Sequence, residues 1–213
     1  MRTKKTIWFF VILVFVIPAI AWVGMDWYES RVQTLPVLGP ATDSAGRQWQ
    51  HTIADFRLVN QEGDMVSAGE WKEKVVVVDF FFTHCPAICP KLTASLKKIQ
   101  EQYRSSNRLL FCSFTVDPER DSATALKQYA VRFGLDTRNW QLLTGRKKDI
   151  YKLARNSFMV VATDGDGGPT DFIHTEKLVL IDQQKRIRGY YTGTDDAEVQ
   201  QLIADIRKLN VQD

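Results

Sequence analysis

The sequence predicts an α/β domain, a central mixed sheet flanked by helices, behind an N-terminal transmembrane helix. Three observations carry this reading. Residues 7–25 form an uncharged apolar run, residues 74–82 and 109–116 have the texture of strands buried on both faces, and an amphipathic segment follows each of those strands.

Taken in order, the chain opens with a short basic tail over residues 1–6, carrying Arg2, Lys4 and Lys5. The run IWFFVILVFVIPAIAWVGM over residues 7–25 then has the length to cross most of a bilayer's hydrocarbon layer, at about 1.5 Å per helical residue. Pro18 is tolerable inside such a span, and Trp8 and Trp22 sit near its ends as interfacial aromatics do. The basic tail predicts a cytoplasmic N-terminus, so the folded domain lies outside the cytoplasm, in the periplasm if the membrane is a bacterial inner membrane. Ala19-Ile20-Ala21 also fits the small-x-small pattern of a cleaved secretory signal, which would export the same domain untethered. No lipidation cysteine follows directly on the run, which disfavours a lipid anchor.

Residues 26–50, with Pro36, Gly39 and Pro40 and little periodicity, read as a linker, and the domain is expected over residues 51–213. Residues 56–67 alternate around a polar, glycine-containing stretch and predict a hairpin. The run 74–82 is the expected central strand. From Pro90, Leu92, Leu96, Ile99 and Tyr103 recur at helical spacing. After the second buried strand, Leu126, Tyr129, Ala130 and Phe133 mark a helix stopped by Gly134. A short strand over residues 140–143, a helix over 147–154, a glycine-rich loop over 163–171 and strands over 178–182 and 187–192 follow. The last helix places Val199, Leu202, Ile203, Ile206 and Leu209 on one face, with Thr194 or Asp195 as its cap.

Among the 213 residues, 45% are hydrophobic and 11% aromatic, values of a folded domain rather than a disordered chain. The net charge of +3 resides in the basic tail, and from Asp26 onward 25 basic residues face 25 acidic ones. No basic stripe exists to neutralise phosphates, so nucleic acid is not an expected partner.

The chemistry concentrates at Cys85-Pro-Ala-Ile-Cys89, in the loop between the central strand and the next helix. Two thiols one turn apart at a helix N-terminus are placed where backbone N–H groups stabilise thiolates. The plain alternative is a structural disulfide, although such bridges usually close longer loops. Thiolates are soft ligands that favour Cu(I), whereas Zn(II) needs further ligands to complete a tetrahedron. His174, after the glycine-rich loop, is the natural third donor, though from spacing alone a surface or capping histidine is the default reading.

Three blocks, Phe81-Phe-Thr-His-Cys-Pro-Ala-Ile-Cys-Pro90, Thr115-Val-Asp-Pro-Glu-Arg-Asp121 and His174-Thr175, agree together in order and spacing. They resemble the SCO/SenC family, the membrane-anchored copper proteins of cytochrome c oxidase assembly. The likeness runs from about His51 to the C-terminus, and the N-terminal anchor agrees with it. The resemblance implies a thioredoxin-like fold in which Cys85, Cys89 and His174 bind Cu(I) or Cu(II). It implies a metallochaperone that delivers copper to the copper A site of the oxidase's second subunit. Asp117 and the acidic block around it resemble a family element beside the copper loop, where it ligates, orients a ligand or caps a helix. A strand-to-helix turn accounts for Asp117-Pro118 equally well.

A second function uses the same thiols: a thiol-disulfide oxidoreductase keeping the target's copper-binding cysteines reduced, with Cys85 as nucleophile and Cys89 resolving. The extra residue relative to C-x-x-C weighs against it. A third is peroxidase activity, because peroxiredoxins share the scaffold; Thr83 stands two residues before Cys85 where the peroxidatic pattern has three. Cys112, inside a buried strand, reads as an inert core thiol, and His84 as a tuner of the neighbouring thiolate. His51 reads as the first residue of the domain. Asp164-Gly-Asp-Gly-Gly168 lacks the spacing and final acidic ligand of an EF-hand and reads as a loop.

Overall fold

The computed structural model describes residues 12–32, 35–40, 50–161, 168, 173, 175–209 and 211. The chain forms two compact units that divide between Thr34 and Leu35. In the first, a π-helical turn, Ile12–Val16, runs into α1, Ile17–Val32. No helix among the described residues is long and apolar enough to cross a membrane. The expected transmembrane helix over 7–25 is thus not matched by a described element. Its first five residues lie outside the described part, and α1 continues past Met25 into a stretch carrying Asp26, Glu29 and Arg31.

The second unit is the α/β domain. A hairpin of β1, Arg57–Val59, and β2, Met65–Ser67, precedes the main sheet. Its turn is closed by the Asn60 carboxamide oxygen, which accepts from the N–H groups of Glu62 and Asp64. Then come β3, Val75–Phe81; α2, Ile88–Gln102; β4, Leu109–Thr115; α3, Ala123–Phe133; β5, Trp140–Leu143; and α4, Lys147–Lys152, prolonged by a π turn to Ser157. The chain ends with β6, Lys177–Ile181; β7, Ile187–Thr192; and α5, Asp196–Lys208. Among the described residues the main sheet runs β5-β4-β3-β6-β7. β3, β4 and β5 are parallel, while β6 pairs antiparallel with β3 and β7 with β6. This is the mixed sheet that the sequence predicts.

β3 is central because it is apolar on both faces. Val75, Val77 and Phe81 pack with Leu92, Leu96, Leu126 and Leu202 of the helices α2, α3 and α5. Val76, Val78 and Phe80 pack the other way, with Leu58 and Val66 of the hairpin and Tyr151 of α4. That second layer holds an aromatic cluster in which Phe56, Phe80, Phe158 and Trp71 surround Phe114 or one another at 5.3 to 6.3 Å. Each such contact adds roughly 0.5–1.5 kcal/mol beyond burial. Two helix ends follow from single residues: Gly134 takes the left-handed conformation (φ 59°) that closes α3, and the Asp195 carboxylate accepts from Ala197 and Glu198 at the start of α5.

Both sheet edges are covered. At β5, the Gln61 side chain accepts from the Leu142 N–H (2.8 Å) and donates to the Trp140 carbonyl (3.5 Å), standing in for a strand. At β7, the Leu38 N–H donates to the Ile187 carbonyl (2.9 Å), and the Arg188 guanidinium donates to the carbonyls of Leu35 and Pro36. Residues 35–40, expected within the linker, thus belong to the folded domain, held by Arg188 and by the packing of Leu35 and Leu38 on the core. Most of the expected glycine-rich loop, with Asp164 and its neighbours, lies outside the described residues.

Candidate metal centre

β3 ends at Phe81, and a turn closed by the Cys85 N–H on the Phe82 carbonyl (3.2 Å) leads into α2. The residue before the helix, Ala87, supplies no side-chain cap. The cap is sulfur: the Cys89 N–H donates to Cys85 Sγ at 3.4 Å. Pro90, third in the helix, has no N–H to leave unpaired. The CPAIC sequence therefore builds a helix N-terminus whose orphan donors converge on one thiol.

The two thiols differ. Burial opposes ionisation of Cys85, yet the backbone N–H groups of Cys89, Ala87 and Ile88 override it and pull the thiol below its ordinary range. Cys89 is buried, and burial together with the nearby Cys85 and Asp79 pushes its thiol up to about 12. Both are free thiols.

A cavity of about 410 Å³ adjoins the pair, lined by both cysteines, by Phe80, Phe82 and Val116, and by Ile173, Thr175 and Glu176. His174 itself lies outside the described residues, but its neighbours on either side line the cysteine cavity. Tyr151 connects that segment to the sheet: its hydroxyl donates to the Val116 carbonyl (2.9 Å) and accepts from the Ile173 N–H (3.4 Å). Among the described residues no three His, Cys, Asp or Glu side chains gather as a metal site. The two cysteines form such a set only with a donor from outside them.

In the acidic block, Asp117 makes a turn. Its N–H donates to Thr115 Oγ1 (3.0 Å), its carbonyl accepts from the N–H groups of Arg120 and Asp121, and its carboxylate pairs loosely with Arg120 (3.8 Å). The residue that reaches the cysteine loop is Asp121, fully buried and bonded to Thr83. In the sequence Asp121 is only the end of the acidic motif, and nothing there marks Tyr151 or Glu176; a buried carboxylate in a polar stretch leaves no periodic signal. His84 is exposed, with Nδ1 2.9 Å from Thr83 Oγ1 and 3.9 Å from Asp121 Oδ1. The hydrogen bond to Thr83 holds the His84 ring on the side of Asp121.

Cys112 sits at the centre of β4, fully buried, its thiol pushed well above the ordinary range by burial, in keeping with a core role. His51 is buried too, with Nε2 2.6 Å from the Ser157 carbonyl, so it fastens the start of the domain to the turn after α4. Under the cysteines lies Asp79, a buried carboxyl in β3 that accepts from the Ser113 hydroxyl at 2.5 Å. Burial raises its pKa to about 7, against the opposing pull of that hydrogen bond.

The SCO1/SenC family model matches residues 44–210. The chain belongs to the SCO1/SenC family. Among the curated SCO relatives, the SCO1 protein homolog of Bacillus subtilis is 30% identical over 162 residues, covering 75% of this chain and 83% of its own. The solved structure of BsSco, described as a member of the Sco family of cytochrome c oxidase assembly proteins with a disulfide switch, matches with a TM-score of 0.65. It is 29% identical over 76% of this chain and 95% of its own. The copper-bound ScoI of Bradyrhizobium japonicum shares the fold, with a TM-score of 0.59 and 23% identity over 76% of this chain and 99% of its own. The thioredoxin-like architecture is thus that of the SCO proteins.

Proposed function

We propose that this SCO1/SenC protein carries a copper ion as cargo on Cys85, Cys89 and His174 and hands it to the copper A subunit of cytochrome c oxidase during assembly. The observation that supports this most is the shared cavity: the two thiols and both neighbours of His174 line one space. The Cys85 thiol lies below its ordinary range, which favours the thiolate, a soft donor for the ion. Cys89 holds its proton in the free protein and releases it when a cation takes the proton's place on sulfur. Thiolates favour Cu(I) and imidazole suits Cu(II), so the histidine lets one site hold both oxidation states. Release is ligand exchange with the soft donors of the receiving site, not turnover. The apolar lining from Phe80, Phe82 and Val116 limits water around the sulfurs.

In this reading residues 7–25 are a single-pass membrane segment after a cytoplasmic tail over 1–6. The domain then stands outside the cytoplasm, in a bacterial periplasm, where its copper A partner is exposed. In cells lacking the native protein, His174→Ala fails to restore copper A in the oxidase, while the wild type restores it. Normal oxidase assembly with His174→Ala contradicts the proposal.

The split between the two thiols favours a second reading, thiol-disulfide exchange. The Cys85 thiolate attacks a partner disulfide and expels one partner thiolate. Cys89 then loses its proton, attacks Cys85 sulfur and expels the other, leaving the partner reduced by two electrons and Cys85–Cys89 oxidised. His174→Ala spares this exchange, which separates the two readings.

A further inference from the structure

We propose that Asp121 is the positioning residue of the cysteine loop, a buried carboxylate that fixes Cys85 against the first turn of α2 through Thr83. The inference rests on the copper-site reading above and assigns a role that Cys85, Cys89 and His174 do not fill.

Between the end of β3 at Phe81 and the start of α2 at Ile88, the chain has neither ladder nor helix to hold it. Asp121 supplies the missing anchor from 38 residues away in sequence. Its Oδ2 accepts from the Thr83 N–H at 3.0 Å, and its Oδ1 accepts from the Thr83 hydroxyl at 2.5 Å. A third bond comes from the Thr115 hydroxyl to Oδ2 at 2.5 Å. Thr115 ends β4 and is the register partner of Phe81, so the carboxylate is braced on the sheet on one side and grips the loop on the other.

Burying a carboxylate is costly unless its oxygens accept hydrogen bonds, and here both do. A residue serving only the local turn would draw its donors from that turn. Two of the three side-chain bonds to Asp121 come instead from the residue two places before Cys85. The Thr83 hydroxyl has one proton and gives it to Asp121, so the His84 contact is an Nδ1–H donating to Thr83 Oγ1, which orders the adjoining residue too. The sulfur-capping geometry at Cys89 depends on where the loop puts Cys85, and that placement is what Asp121 controls.

The test uses the full-length reduced chain in detergent with three variants, and Cys85→Ala as a fourth for the copper arm. Thr83→Val keeps shape and charge but removes the hydroxyl bond. Asp121→Asn places an amide donor against donors. Ser122→Ala removes the side-chain cap of α3 beside Asp121 without touching the loop. Two quantities are read: the rate of Cys85 alkylation by iodoacetamide at pH 7 without copper, and Cu(I) retention against a competing chelator. Losing one or two such bonds lowers both by about five- to tenfold in Thr83→Val and Asp121→Asn, whereas Ser122→Ala leaves both at wild-type values. Wild-type alkylation by folded Thr83→Val overturns the positioning role, as does an equal loss in Ser122→Ala. If Cu(I) retention is unaffected by Cys85→Ala, the copper reading fails, and the alkylation arm still decides the role of Asp121.

Discussion

The backbone N–H of Cys89 is aimed at the sulfur of Cys85, 3.4 Å away, so the backbone of one cysteine favours the thiolate form of the other. The same helix start that lowers Cys85 leaves Cys89 buried and protonated. Brief alkylation across pH 6 to 10, mapped by mass spectrometry, is therefore expected to modify Cys85 first, with half-maximal rate below the ordinary thiol value of about 8.5. Cys89 stays unmodified throughout. Equal labelling of the two would contradict the arrangement.

Asp79 gives stability a pH dependence of unusual sign. Its folded-state pKa of about 7 lies above the ordinary 3.8, so the folded protein binds the proton more tightly than the unfolded chain. Below the ordinary value both states are protonated and Asp79 contributes nothing. Between the two values stability falls as pH rises, and above about 7 the full penalty, on the order of 4 kcal/mol, is in place. Urea unfolding at pH 5 and pH 8 should show a drop across this range that Asp79→Asn removes. A wild-type difference unchanged in the variant would refute the assignment.

Arg188 ties residues 35–36 to the domain and shares Asp182 with Arg186. Burial works against the Asp182 carboxylate, but the two arginines override it and hold its pKa below the ordinary value. Its contribution is present above that ordinary value and is lost as pH falls through the lower, folded-state one. Arg188→Ala is expected to cost about 2–4 kcal/mol at pH 7 and to weaken the loss on acidification. It should also speed proteolysis within residues 35–50; wild-type cleavage there would show that the clamp is dispensable.

Tyr151→Phe keeps the buried ring and removes only the hydroxyl between the Val116 carbonyl and the Ile173 N–H. A loss of about 1–2 kcal/mol in stability is expected, with weaker copper retention in the direction of His174→Ala. Retention equal to wild type would separate Tyr151 from the histidine segment.

The sheet was legible because β3 and β4 are apolar at every position but Asp79 and a few hydroxyls, a pattern that only two-sided burial accounts for. Gly134 and Asp195 announced helix ends through chemistry local to each. The two cysteines were legible for the same reason, since a strand, a short loop and a proline-started helix are all readable from neighbours in sequence. What escaped were contacts across the fold. Asp121 meets Thr83 only because β3 and β4 are adjacent, and the stretch of Pro36 and Gly39 has linker composition until Arg188, 152 residues beyond Pro36, bonds to its carbonyl. Neither relation leaves a periodicity to read.

The most direct measurement is the copper stoichiometry and spectrum of the reduced full-length chain in detergent, beside Cys85→Ala and His174→Ala. The account predicts one copper per chain, with sulfur-to-copper charge-transfer bands in the Cu(II) form that Cys85→Ala abolishes and His174→Ala shifts or weakens. Folded, reduced protein that retains no copper, or a spectrum that His174→Ala leaves unchanged, would contradict it.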